Sequence, residues 1–233
     1  MTGKRDFEKL EQSAGLTFCK NGLLFSQPCD IQPVSEVSFD WLHVFLVNGI
    51  FQSHWNLMKP ALIAIGVSHQ VMMEYLKNWM APKDQKANVD ASLATLDKTK
   101  NKEWKPAASE ALSLYPLLRQ LILGRLDRTD SAPHSASLRG FLELLKVLDQ
   151  LSIVNKGGIV DPGDLHRRIT RYLELFHASY GPGEMVPKFH YALHLPLLLE
   201  QHGMLISCFT HERKHKSLKV WANQLCNAQS ASS

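Results

Sequence analysis

Three observations predict a mainly α-helical fold. From Asp40 onward apolar residues recur at three- and four-residue spacing, and Gly, Pro, Ser or Asp clusters separate the segments that carry them. Strand-type patterns are confined to the first 39 residues. The chain has 233 residues, 45% hydrophobic and 21% charged, enough for one large core and typical of a globular protein. Its 26 basic and 22 acidic residues leave a net charge of +4, too small to diagnose a nucleic-acid binder.

Taken in order, residues 4–14 read as a charged helix ending near Gly15. The stretch 16–39 is broken by Asn21-Gly22, Pro28 and Pro33, leaving short extended pieces at 23–25 and 36–39. After Asp40 the pattern turns helical. Trp41, Phe45, Asn48 and Gln52 form one stripe, and Leu42, Leu46, Gly49 and Ile50 a second, so this helix should lie in the core. Asp40 stands where an N-cap belongs. Gln52, His54 and Lys59-Pro60 interrupt the apolar run, which argues against a membrane span.

A second helix is expected over 68–80, stopped by Pro82. Residues 83–106 are polar and lysine-rich and read as a surface loop whose lysines are solvated. Three amphipathic helices follow. One spans 109–126 with Leu112, Tyr115, Leu118, Ile122 and Leu126 inward; the next spans 137–154 with Leu138, Phe141, Leu145, Leu148 and Leu151. The third opens at Asp161-Pro162-Gly163-Asp164 and buries Leu165, Ile169, Tyr172, Leu175 and Phe176. A disordered tail is expected over 227–233.

Few motifs carry chemistry. Cys19, Cys29, Cys208 and Cys226 form no CxxC pair and no signal-like segment opens the chain, so free thiols and an intracellular protein are expected. His190 and His194 are four apart, the spacing of two zinc ligands on one helical face. No glutamate follows His190, so the metalloprotease pattern fails, and hydrogen bonding that fixes the helix is the preferred role. Arg167, Arg168 and Arg171 read as the wet face of their helix, with phosphate contact as the alternative. Arg213, Lys214, Lys216 and Lys219, with His215 among them, form a denser basic run suited to a phosphate backbone. There is no phosphate-binding loop, nucleophile elbow or kinase signature.

Two separated segments resemble DDE transposases of the CACTA/Plavaka group. The first comprises Gly22-Leu23-Leu24, Pro33-Val34-Ser35, and Asp40-Trp41-Leu42-His43-Val44 with Asn48-Gly49; it is similar to the Asp-x-x-His region around that family's second catalytic Asp. The second comprises Lys188-Phe189-His190, Leu193-His194-Leu195-Pro196, Gly203, Glu212-Arg213 and the basic residues to Lys219; it resembles the family's closing motif. The resemblance covers about residues 15–52 and 185–220.

It implies a ribonuclease-H-like strand remnant near 16–39 and a helical domain over 40–226. That domain would hold an all-helical insertion over about 53–185 and the closing motif over 186–226. Asp40 and Glu212 would be the second and third catalytic carboxylates and ligands of Mg²⁺ or Mn²⁺, with His43 orienting Asp40 or a phosphate. DNA would be the partner and the nucleus the location, with a homo-oligomer or another protein chain as a further partner. The pattern departs in one respect: neither Asp6 nor Asp30 sits in a strand-type run, so no first catalytic Asp is identified. The expectation is a transposase-derived fragment that binds DNA nonspecifically and is inactive alone. The competing expectation is a helical scaffold or protein-interaction domain in which Asp40 and Glu212 are structural.

Overall fold

The computed structural model describes residues 38–100, 102–126 and 135–207, and these are mainly α-helical with no strand among them. Of the strand remnant expected near 16–39, residues 16–37 lie outside the described residues and 38–39 form no strand; the tail over 227–233 and all four cysteines also lie outside them. The helices are α1 (Trp41–Phe45), α2 (Ile50–Ala64), α3 (His69–Lys77), α4 (Lys86–Asp97), α5 (Ala108–Leu126), α6 (Ser135–Asn155), α7 (Pro162–Tyr180), α8 (Pro187–Ala192) and α9 (Leu195–His202). A single 3₁₀ turn, Pro182–Glu184, links α7 to α8.

Helices α6 and α7 form an αα-hairpin, and α2 lies across α6. Helix α5 packs beside α6 on one side and α4 on the other, while α3 contacts both α4 and α5. Helix α9 returns onto α7, and α8 docks on α1. The helix signals act where their chemistry requires. Asp161 accepts the Asp164 N–H at 2.7 Å and Pro162 supplies the first residue of α7. Ser68 accepts the Val71 N–H and caps α3. Among the described residues no helix is long and apolar enough to cross a membrane.

One difference concerns the apolar stripe after Asp40, which is divided between two helices rather than continuous. Leu46 and Val47 both donate their N–H groups to Leu42 O, closing α1, and Asn48 takes a positive φ of 46°. Asparagine tolerates that left-handed conformation better than most residues. Gly49 then lets the chain turn against itself, because a Cβ there would lie 2.5 Å from Val44 O and 2.6 Å from Phe45 C. Those neighbours are backbone and cannot swing aside. Gly49→Ala should therefore destabilise the fold by about 1–3 kcal/mol, the usual cost of overpacking, read from the midpoint of urea unfolding.

The second difference is in residues 83–106, where the polar stretch contains α4. Val89, Leu93 and Leu96 make a narrow buried stripe at helical spacing, and the lysines expected to be solvated are exposed. Beyond it Trp104 is fully buried against Phe51 and Trp55. Asn56 pins it in place, donating to Trp104 O at 3.1 Å and accepting Trp104 N–H at 2.9 Å.

The centre of the core holds a polar residue. His54, on α2, is fully buried and touches the rings of Phe141 on α6 and Tyr172, Phe176 and Tyr180 on α7. Its Nε2–H donates to Ser137 O at 3.3 Å, and burial pushes its pKa down to about 3. Because the unfolded chain takes up this proton near pH 6.5 and the folded one does not, acid favours unfolding between those two values. Lowering the pH from 7.5 to 5 should cost the protein about 2 kcal/mol through this group alone. The check is urea unfolding at both pH values: His54→Phe should lose about that much less than the parent.

Candidate functional site

Asp40 begins as an N-cap and does a second task. Its Oδ1 accepts the Leu42 N–H at 2.9 Å, and its Oδ2 accepts the His43 Nδ1–H at 2.7 Å. A carboxylate is acceptor-only, so this contact places the His43 proton on Nδ1. Asp40 is largely covered, with 17% of its side chain exposed, whereas His43 is half exposed at 49%. The pair thus presents an imidazole at the surface, held by a carboxylate at the head of α1.

Lys188, on α8, locks the same element from its other end. Its ammonium donates to His43 O, in the last turn of α1, and to Val47 O just beyond it, both at 2.7 Å. Partial burial pushes the Lys188 pKa below the usual lysine value. The ring of Phe39, just before Asp40, stacks on Tyr191 at 4.7 Å and on His194 at 5.4 Å. Finally, Trp41 N–H donates to Ile206 O at 3.3 Å, so the chain leaving α9 passes the head of α1.

The sequence-derived site residues divide into three sets. Asp40 and His43 are brought together as described. Arg167, Arg168 and Arg171 lie on the exposed face of α7, where Arg167 pairs with Asp164 and Arg171 lies 3.8 Å from Glu174. Glu212, Arg213, Lys214, Lys216 and Lys219 fall outside the described residues, as does all of the closing motif beyond Ser207. Among the described residues no three His, Cys, Asp or Glu side chains group to hold a metal ion. Lys188 is the residue that sequence reasoning passed over. It stood in a quoted motif, but nothing in its spacing announced that it spans 145 residues to reach His43 O.

Comparison with family models, with curated proteins and with solved structures finds no match to this chain. The geometry of the site must carry the reading without them. Lys188→Ala should cost about 1 kcal/mol in urea unfolding, since it strips a charged donor from the part-buried Val47 carbonyl and from the exposed His43 carbonyl, which water can take over. Equal stability in parent and variant would show that α8 needs no such anchor.

Proposed function

We propose that the chain is a transposase-derived fragment that binds DNA nonspecifically and does not complete strand cleavage on its own. One observation supports this reading above the others. The segments carrying the two halves of the resemblance, far apart in sequence, are in direct contact through Lys188 with His43 O, Phe39 with His194, and Trp41 with Ile206. Ile206 precedes Glu212 by six positions in the sequence. An active site assembled from an Asp-x-x-His segment and a distant Glu requires such a return of the chain.

The chemistry follows from the resemblance. Mg²⁺ or Mn²⁺, when bound, activates a water or a DNA 3′-hydroxyl and stabilises the leaving oxygen. Asp40 and Glu212 supply carboxylates suited to those hard cations. His43 holds Asp40 by its Nδ1–H and presents its other edge to solvent. With no first Asp identified, the carboxylate set is short by one. Affinity for DNA rests on Arg213, Lys214, Lys216 and Lys219, with Arg167, Arg168 and Arg171, exposed on α7, as a second basic set.

Filter binding of plasmid DNA tests the reading. Four phosphate contacts should lower retention about 100-fold between roughly 50 and 200 mM salt. Replacing Lys214, Lys216 and Lys219 by Gln together should flatten that dependence. Plasmid incubated with Mg²⁺ or Mn²⁺ should stay unnicked; nicking that disappears in Asp40→Ala would overturn the inactive assignment. Absence of salt-sensitive retention would instead favour a helical scaffold. That second reading draws on a groove of about 1020 Å³ between the α6–α7 turn and α9, rimmed by exposed Ile159, Leu197 and Met204.

A further inference from the structure

We propose that His190 and His194 form a two-imidazole site for a borderline transition-metal cation, Zn²⁺ or Cu²⁺, separate from the carboxylate site inferred above. Their Nε2 atoms face one another at 3.1 Å, and the rings stand nearly perpendicular at 84°. Without a cation one Nε2–H donates to the other, so the contact holds a single proton between two in-plane lone pairs. A metal ion can take that proton's place.

The separation suits it. With Zn–N bonds of about 2.0–2.1 Å, two ligands on a tetrahedral ion stand about 3.3 Å apart, and on a square-planar or octahedral ion about 2.9 Å. The observed distance lies between these values, so the nitrogens need hardly change their separation; the rings turn so that both lone pairs meet at a point beside the line joining them. The ligands are also held in place. Phe39 stacks on the His194 ring at 25°, and His194 N–H donates to Tyr191 O where α8 passes into α9. His190 is exposed and His194 half-buried, which leaves the site open to solvent. With no third His, Cys, Asp or Glu grouped with them among the described residues, water fills the remaining positions. Imidazole donors select Zn²⁺ or Cu²⁺ over the oxygen-seeking Mg²⁺.

The experiment is Zn²⁺ titration of the full chain, followed by the imidazole ¹⁵N resonances and by calorimetry. His211 and His215, also four apart in the sequence, are replaced by Gln in every sample so that they cannot contribute. The Nε2 signals of His190 and His194 should move before those of the other histidines, with Mg²⁺ leaving them unchanged. Loss of outer-shell support alone weakens metal sites about 10–100-fold, so His190→Gln and His194→Gln should each lower affinity at least about tenfold. Both ligands being solvent-accessible, circular dichroism should show the variants folded as the parent. Resonances of His190 and His194 that move no earlier than the rest would overturn the site. So would undiminished affinity in either folded variant.

Discussion

The fold depends on one neutral imidazole. His54 projects from α2 into the junction with α6 and α7, where four aromatic rings surround it and Ser137 O takes its one ring N–H bond. An uncharged ring of this size fills the space between three helices, and a charged one would have no counter-ion there. Helices α2, α6 and α7 come close here: a Cβ built on Gly140 of α6 would stand at ordinary contact distance, 3.4 Å from His54 Cε1 and 3.5 Å from Leu175 Cβ. The α6–α7 hairpin and α2 are therefore fixed to one another by shape and by protonation state together.

From that junction the packing reaches the candidate site in two steps. Phe176, which touches His54, also packs on Phe189 of α8 at 4.5 Å, and Tyr172 stacks on the same ring at 6.4 Å. Phe189 sets the position of α8, and its neighbour Lys188 then falls beneath the end of α1. A five-residue helix has too few internal hydrogen bonds to be stable alone. Helix α1 persists because Asp40 satisfies its first turn, Lys188 its last, and buried Trp41, Leu42, Val44 and Phe45 anchor it. The surface imidazole of His43 is thus placed by residues drawn from both ends of the described chain.

Much of this was legible in the sequence where local chemistry decides. The Asp40 cap, the opening of α7 at Asp161-Pro162, the apolar stripes of α6 and α7, and the mainly helical class all follow from short-range rules. On α5, by contrast, the buried face is centred on Ala111, Leu114, Leu118 and Leu121 rather than on the expected Leu112 and Tyr115. What escaped was set by tertiary contact. The division between α1 and α2 turns on Asn48 and Gly49, whose neighbours Leu46 and Ile50 read as helix on either side. Helix α4 hid in a lysine-rich stretch because three apolar residues suffice when α3 and α5 pack against it. Lys188 is a lysine among lysines until the fold brings two carbonyls within reach of its ammonium.

The continuity of the core bears on the ancestry argument. A helical insertion in a larger sheet-based protein would normally have its own core and a seam where it joins the parent fold. Here one buried cluster runs from Trp41 through α2–α7 to Leu205, with no such seam among the described residues. Helices α1 and α8, which carry the motif halves, are seated on the helical body itself through Phe189 and the α1–α2 contact. The helical body is thus the base on which the segment at Asp40 and the chain returning from α9 meet. Retention of DNA by such a body needs only exposed cations, whereas cleavage needs a third carboxylate aligned to within a fraction of an ångström.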